Sequence, residues 1–495
     1  MNPYAAEFPR ATTIAREGNR ARKLLKEVRS GDPGAAARFH YHHPRFAAMT
    51  DEAIREAARF PDARFVVARE YGFSSWARLG AHLQALAGRR ELRHPFETDL
   101  QYYRDRAAGM LSVFGTGERN ALRLVRLFHP DYPEASEPDI RAAQLTRADA
   151  ELILAREHGF ENFDAFAEYI EALREQRVSE PFAVAFAAIK ADDRARLIEL
   201  LALHPRLANA AGTNGNRLLM FAVPFKRTAM VQDLLATDAD PELPNNKGWT
   251  ALHQAAYADP TGDRADAPGM VELLLKAGAS PFAEAYGDGG TPLAVALFWG
   301  HRANAERLAQ PVIAPFNLRT VAGLGRPDLL ERFFDRRQLR PEAGWHREFH
   351  RPHSGFPPWR PSDNPPEILS EALTYAARNG RIEALDFLLA RGAEIDAEPY
   401  NGTALHWAVA RRQPGAAAWL LDRGADINRR AGFGATRGVT PLHVAAAWEG
   451  SPDCARLLID RGADRAIKDD QQDSTPAGWA AYFKNAEIAA MISRA

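Results

Sequence analysis

One phrase recurs along the second half of the chain. GTALHWAVARRQ (402–413) returns as VTPLHVAAAWEG (439–450), with earlier forms WTALHQAAYAD from Trp249, GTPLAVALFWGH from Gly290 and EALTYAARNGR from Glu371. RLLMFAVPFK at Arg217 is a worn copy and STPAGWAAYFKN at Ser474 the last one. A second phrase follows most copies: VELLLKAGAS (271–280), LDFLLARGAE (385–394), AWLLDRGADI (418–427) and ARLLIDRGAD (455–464). The lag between copies centres in the low-to-middle thirties. Self-similarity at that period restricts the fold sharply, because a unit so short cannot bury its own apolar face and must stack on its neighbours.

The chemistry of one unit is readable. Thr440 suits a helix N-cap, its hydroxyl accepting from first-turn amides. Pro441 follows where its missing N–H does no harm. Leu442 and the Ala445–Ala446 pair give a narrow helix that a neighbour can approach closely. Ala455, Leu458 and Ile459 stripe a second helix, and Gly462 ends it in the left-handed region. These residues resemble the ankyrin repeat, strongly in the copies at Thr250, Thr403 and Thr440 and fairly at Thr291 and Glu371. The likeness is weak near Phe182, Arg217 and Phe316, and the unit from Thr475 reads as a C-terminal cap. The resemblance implies an all-α solenoid of helix–turn–helix repeats with hairpin loops, about eight or nine units over residues 181–495. Asp238 stands where the helix-ending glycine belongs, in a conformation Asp tolerates. The unit from Thr291 is short, so a truncated second helix or loop is expected there. At the family's TPLH position, His253, His406 and His443 are implied to hydrogen-bond within the turn and to the adjacent unit. None has an acid or nucleophile at fixed spacing.

A longer repeat fills residues 1–180. FVVAREYGFSSWARLGAHLQAL (65–86) aligns with LILAREHGFENFDAFAEYIEAL (152–173), and FHYHHPRF (39–46) with RLFHPDYP (126–133). This predicts a duplicated leader of α-helical hairpin repeats, units at about 16–90 and 100–176, with Gly72 stopping one helix and Ser74 or Ser75 capping the next. Trp76, Leu79 and Leu83 then share a face. The leader resembles that of some bacterial ankyrin-repeat proteins, and a third HP at His204–Pro205 suggests that it grades into the array without a linker. His40, His42 and His43 are crowded enough to raise a metal, but a polar helix end stopped by Pro44 explains them as well.

Residues 335–367 (DRRQLRPEAGWHREFHRPHSGFPPWRPSDNPPE) break the rhythm. This proline-rich insertion mixes Trp345, Phe349, Phe356 and Trp359 with Arg336, Arg337, Arg340, Arg347, Arg351 and Arg360. Three readings fit: a loop folded back over the array by its aromatics, a contact for a ligand or partner, or a metal site at His346, His350 and His353 with Glu348. Pro352 argues against a helix that would fix those imidazoles. The shorter insertion 259–269 carries Asp259, Asp263 and Asp266, whose spacing fits no calcium loop.

The 63 basic and 64 acidic residues leave a net charge of −1, which gives no global pull toward nucleic acid or an anionic membrane. Cys454 is the one cysteine, so an internal disulfide is excluded and a reducing cytoplasm is the natural location. It sits beside Leu457 and Leu458 as a small buried hydrophobe would. No signal peptide and no apolar run of the ~18 residues needed to cross a bilayer is found. Glycine-rich phosphate loops, G-x-S-x-G, HExxH and paired-cysteine motifs are missing too.

The expectation is therefore a scaffold that binds another protein, with no catalytic residues and no cofactor. Its concave face would be lined by Tyr257, Phe298, Trp299, Arg378, Arg411, Trp448 and Tyr482, with Trp249 and Tyr400 at loop tips. Trp, Tyr and Arg are the side chains that concentrate binding energy. Two alternatives stay open: a metal or enzymatic centre on the histidines of 346–353, and nucleic-acid or phospholigand binding through the Arg/aromatic insertion.

Overall fold

The computed structural model describes residues 14–47, 49–70, 76, 93–116, 119–132, 135–257, 267–285, 289–310, 317–340, 343, 349–352, 356–357, 359–447 and 450–494. Contacts divide the chain into two units, Met1–Leu92 and Arg93–Ala495. Residues 93–180, grouped with the leader by sequence, thus share a unit with the repeats.

In the first unit, helices Ile14–Arg29, Pro33–His42, Asp51–Ala57 and Phe60–Glu70 enclose Leu24, Phe39, Phe46, Ile54 and Val66. Asp32 caps the second helix through the Ala35 amide (2.7 Å), with Pro33 in its first turn. Glu70 is buried and pairs with Arg20 (2.9 Å) and Arg38 (2.6 Å). The crowded histidines go separate ways: His40 bonds Asp51 (2.8 Å), and His43 lies 3.3 Å from Asp62. The expected caps Ser74 and Ser75, with Gly72, Leu79 and Leu83, lie outside the described residues.

The second unit opens with helices Leu100–Thr116, Arg119–Phe128, Glu137–Ala142, Arg147–Glu157 and Phe163–Arg174. Ser136 and Thr146 start two of them with capping boxes, which satisfy two orphan amides reciprocally. Helix Arg147–Glu157 ends, like Phe60–Glu70, on a buried glutamate. Glu157 accepts from Asn246 (2.7 Å) and faces Arg93 (3.5 Å), while burial pushes its pKa up. Next to it, His158 donates through Nδ1 to the Leu154 carbonyl and accepts through Nε2 from the Thr213 hydroxyl (2.9 Å). The Arg93 amide bonds the Glu157 carbonyl, and the His94 amide bonds Ala211. Buried polar contacts therefore tie these helices to the first loops of the array.

Nine helix pairs follow among the described residues. The first helices of the pairs are Pro181–Ala191, Leu218–Ala222, Ala251–Tyr257, Pro292–Phe298, Leu318–Leu324, Pro365–Arg378, Ala404–Ala410, Pro441–Ala446 and Pro476–Tyr482. Each packs on a second helix, from Arg194–Leu203 to Ala486–Arg494. The all-α solenoid expected from the repeats is what the chain forms. Thr291, Thr403, Thr440 and Thr475 cap first helices with their hydroxyls. Gly462 closes its unit at φ +86°, and Asp238 takes the same role at φ +60°. Leu252, Leu297, Leu405, Leu442 and Leu458 are fully buried between units, and Cys454 is buried with them.

Of the two truncations expected as alternatives in the unit from Thr291, that of the second helix is not found, and residues 311–316 of the following loop lie outside the described residues. Helix Arg302–Ala309 is complete, whereas Pro327–Leu330 is a single turn. It passes through a 3-10 turn at Glu331–Phe333 into the hairpin of Phe334–Asp335 with Gln338–Leu339. At the other end of the insertion, Pro365 and Pro366 occupy the first turn of a helix that runs 14 residues to Arg378. Proline is harmless there, so the helix begins inside the stretch that looked irregular.

Candidate functional site

The histidines of the repeat form a ladder. The His253 Nδ1 accepts the Thr250 amide (3.1 Å), and its Nε2–H donates to the Gly290 carbonyl of the next unit (3.2 Å). His406 reaches the Val439 carbonyl (2.9 Å) and His443 the Ser474 carbonyl (3.0 Å) in the same way. Each accepting residue directly precedes a capping threonine, so each ring fixes where the next helix starts. Desolvation drives the pKa of His253 and His406 down to about 4, and that of His443 down. The rings are neutral hydrogen-bonding posts.

The described residues 349–352, 356–357 and 359–361 of the insertion fold back over the first helices as a strap. Phe349 stacks on Trp359 at 4.5 Å, with the rings 4° from parallel. Glu371 anchors this stack, accepting from Trp359 Nε1 (2.7 Å) and from Arg319 (2.9 Å). The Arg319 guanidinium lies 4.8 Å from the Trp359 ring centre. Phe356 lies against Trp407 (5.9 Å) and Tyr400 (6.3 Å), and the Tyr400 hydroxyl donates to the Pro357 carbonyl (2.8 Å). His350 is buried, donating from Nδ1 to the Gly289 carbonyl (2.9 Å) and accepting from Trp299 Nε1 (3.1 Å). Its pKa falls to about 4 through burial. Both ring nitrogens are occupied, so this histidine has no lone pair left for an ion. Gly290 makes the close approach possible: a Cβ there would sit 3.2 Å from the His350 nitrogen, and its φ of +70° suits glycine.

Beneath the strap lies Arg378. Its guanidinium is packed among the rings of Trp407 (3.6 Å), Tyr375 (4.4 Å) and Phe298 (4.7 Å). It donates to the Phe298 carbonyl (3.2 Å) and the Thr374 carbonyl (3.3 Å). It is 1% exposed, and among the described residues it forms no ion pair. Burial lowers its pKa to about 10 and raises that of Tyr375 to about 12. A buried charge without a counterion costs several kcal/mol, of which desolvated ring contacts offset about 2 kcal/mol or more each.

The expected binding residues separate into two sets. Phe298, Arg378, Trp249 and Tyr400 are buried, the first two completely. The physical reason is the strap, whose rings occupy the space that the repeat pattern leaves to solvent. Tyr257 remains 47% exposed and Tyr482 80% exposed. Trp299 and Arg411 are half-buried. Tyr257 meets Trp299 edge-on at 5.6 Å, and the Arg411 guanidinium lies 5.6 Å from the Trp299 ring. These three form a continuous rim beside the strap. Trp448, His346, Glu348, His353, Trp345 and Asp259, Asp263 and Asp266 lie outside the described residues. Among the described residues, no group of three potential metal ligands converges, and no helix is long and apolar enough to cross a membrane. Phe349, Phe356 and Trp359, candidates for stacking on bases, stack on protein rings instead.

Sequence reasoning missed Arg319, Glu371, Trp407 and Phe433, which complete the strap's seat. The one signal for them was position: Trp407 follows His406 inside the TALH phrase, and Glu371 opens its own copy.

Comparison with known families and proteins fits this geometry. Residues 219–318 and 363–431 match the family described as ankyrin repeats in three copies, and residues 437–470 match the single ankyrin repeat. Ankyrin repeat and SOCS box protein 11 of zebrafish (Danio rerio) is 33% identical over 109 residues, 22% of this chain and 35% of that protein. Mouse (Mus musculus) protein phosphatase 1 regulatory subunit 27 is 39% identical over 98 residues, 19% of this chain and 60% of that protein. Human ankyrin repeat and SOCS box protein 6 is 39% identical over 100 residues, 20% of this chain and 23% of that protein. Each alignment thus covers less than two thirds of the relative. With the capping threonines, the histidine ladder and the glycine-closed second helices, these matches identify the helix pairs within residues 219–318, 363–431 and 437–470 as ankyrin repeats.

Proposed function

We propose that this protein is a non-catalytic scaffold that binds a partner protein on the first-helix face of its ankyrin array. The observation that carries the reading is the rim of Tyr257, Trp299 and Arg411. It draws on the third, fourth and seventh helix pairs and mixes aromatic area with a cation, the composition of binding hot spots. The array supporting it is rigid, so little ordering entropy opposes binding. One relative is a regulatory subunit of a protein phosphatase, a protein that works with another protein, which supports the same class of role. Tyr482 extends the surface at the last unit, and Trp448 is included by its place in the repeat. The helical residues 1–180 form a leader in this reading, and the buried Glu157–Asn246 and His158–Thr213 contacts support its second half as the N-terminal cap of the array.

The test is affinity capture from an extract of the source organism, comparing wild type with Tyr257→Ala plus Arg411→Ala. Both substituted side chains reach solvent, so the variant keeps its helical circular dichroism. Loss of one or more stoichiometric partners supports the reading. Capture of an identical set by both proteins overturns the assignment of this face.

A further inference from the structure

The net charge of −1 hides an uneven distribution. Residues 1–92, one structural unit, hold 16 basic and 10 acidic residues, whereas residues 93–495 hold 47 and 54. Part of the excess is gathered on one helix. Along Ile14–Arg29, the side chains of Ala21, Leu24, Leu25 and Val28 face the core. Arg16, Arg22, Lys23, Lys26 and Arg29 are exposed on the opposite side. At 1.5 Å per residue they run over about 20 Å. The two carboxylates of this helix are drawn elsewhere: Glu17 is buried near Arg20 (3.8 Å), and Glu27 is shared between Lys23 (3.7 Å) and Arg38 (4.0 Å).

The duplicate of this unit shows that the fold does not require the row. Its first helix, Leu100–Thr116, buries Ala107 and Phe114, which lie 86 residues on from the buried Ala21 and Val28. At the same lag the five cationic positions hold Tyr102, Ala108, Gly109, Ser112 and Gly115. The fourth helices, aligned through the buried Val66 and Ile153, differ in the same direction. There Arg64, whose guanidinium shares the Phe60 ring with that of Arg22 (4.3 and 5.5 Å), is matched by Glu151, which pairs with Arg147 (2.9 Å). Nor does helix stability call for the row. Arg16 lies in the first turn, where the helix dipole disfavours a cation, and like charges at Arg22 and Lys26, one turn apart, repel.

We propose that the outer face of helix Ile14–Arg29 binds the phosphate backbone of a nucleic acid without reading its base sequence. A line of cations matches a linear polyanion: the row runs past about six phosphates of one DNA strand, at ~3.4 Å of axis each. Arg16, Arg22 and Arg29 offer guanidinium forks that fit phosphate oxygens, and Lys23 and Lys26 add compact charges. A lipid surface calls for apolar side chains that insert, and Ile14 is the one exposed large hydrophobic residue on this helix. An acidic protein segment calls for aromatic anchors, and the helix contains no aromatic residue. This site is independent of the Tyr257–Arg411 rim and gives the chain a second class of partner.

The test is fluorescence anisotropy on the full chain, with two labelled RNAs of about 20 nucleotides and scrambled sequence and a labelled DNA duplex of about 20 base pairs, between about 50 and 200 mM salt. Arg22→Gln plus Lys26→Gln removes two cations from the row. Arg104→Gln plus Arg106→Gln, the matched control, removes two from the duplicate helix. All four side chains are exposed, so each variant keeps its helical circular dichroism. The unaltered chain should bind, with affinity falling steeply as salt rises. Loss of Arg22 and Lys26 should weaken binding about tenfold or more at ~100 mM salt and flatten the log–log salt slope by about 2, while the control stays within about twofold of the unaltered chain. Tighter binding of RNA or of duplex names the polymer, and either supports the proposal.

No binding of RNA or DNA at the lowest salt, a salt slope unchanged by the loss of Arg22 and Lys26, or an equal loss in the control overturns it. Discrimination of more than about tenfold between the two scrambled RNAs overturns the claim that sequence is not read. Retention on phosphatidylserine vesicles that depends on Arg22 and Lys26, in a chain that binds neither polymer, assigns the face to a membrane instead. Capture of a protein partner through Tyr257 and Arg411 is read separately, so either inference can fail while the other stands.

Discussion

At the scale of single residues, four buried imidazoles govern the response to acid. His158, His253, His350 and His406 each titrate near 4 in the folded chain against 6.5 in an open one. As pH falls, the unfolded chain takes up these protons first. The stability the neutral rings supply is full above about pH 6.5 and is lost as pH drops toward about 4, by about 1.4 kcal/mol per pH unit for each ring. Urea midpoints taken at pH 7 and pH 5 should therefore drop at the lower pH, and His406→Gln should shrink the drop. An unchanged midpoint would show the rings charged in the folded state. Arg378 makes a second case. Replacing a buried charge with an apolar residue of like size is often neutral or stabilising by about 1–4 kcal/mol. Arg378→Met is expected to melt at or above the wild-type temperature, and a clear fall would mean that the ring contacts outweigh the missing counterion.

At the scale of elements, the strap depends on Glu371. This carboxylate serves Arg319, whose side chain is 6% exposed, and the indole of Trp359. Glu371→Gln leaves that guanidinium buried without its charge partner, and a cost of about 3–5 kcal/mol is expected in chemical denaturation. A value under ~1 kcal/mol would place the pair in water. The histidine ladder and the strap also differ in how much of them a sequence can show. Thr440, His443 and the carbonyl at Ser474 are each local or one repeat apart, so the phrase itself specifies the bonds. Phe349 and Phe356 find Phe298, Tyr400 and Trp407 across intervals with no period, and proline-rich sequence carries no phase to set their register. For the same reason Phe298 and Arg378, at positions that face solvent in a bare repeat, are covered here. The exposed remainder, Tyr257 and Tyr482, lies beyond the strap's reach, and there the repeat pattern alone places the side chain.

At the scale of the whole molecule, the repeats form a row in which each unit touches its neighbours, so damage should stay local. Leu442→Ala, at a fully buried position, is expected to cost about 2–5 kcal/mol. Hydrogen exchange should quicken in 404–422 and 476–494 far more than in 218–236. Uniform acceleration along the array would mean a single cooperative body instead.

Cys454 turns this row into something that can be followed by simple chemistry. The chain has one sulfhydryl, and it is shut inside the penultimate helix pair with its pKa raised by burial. A thiol-reactive dye added to the native protein is therefore blocked until that end of the stack breathes open. The labelling half-life, taken with and without a captured partner, clocks the fraying of the C-terminal units without any engineered probe.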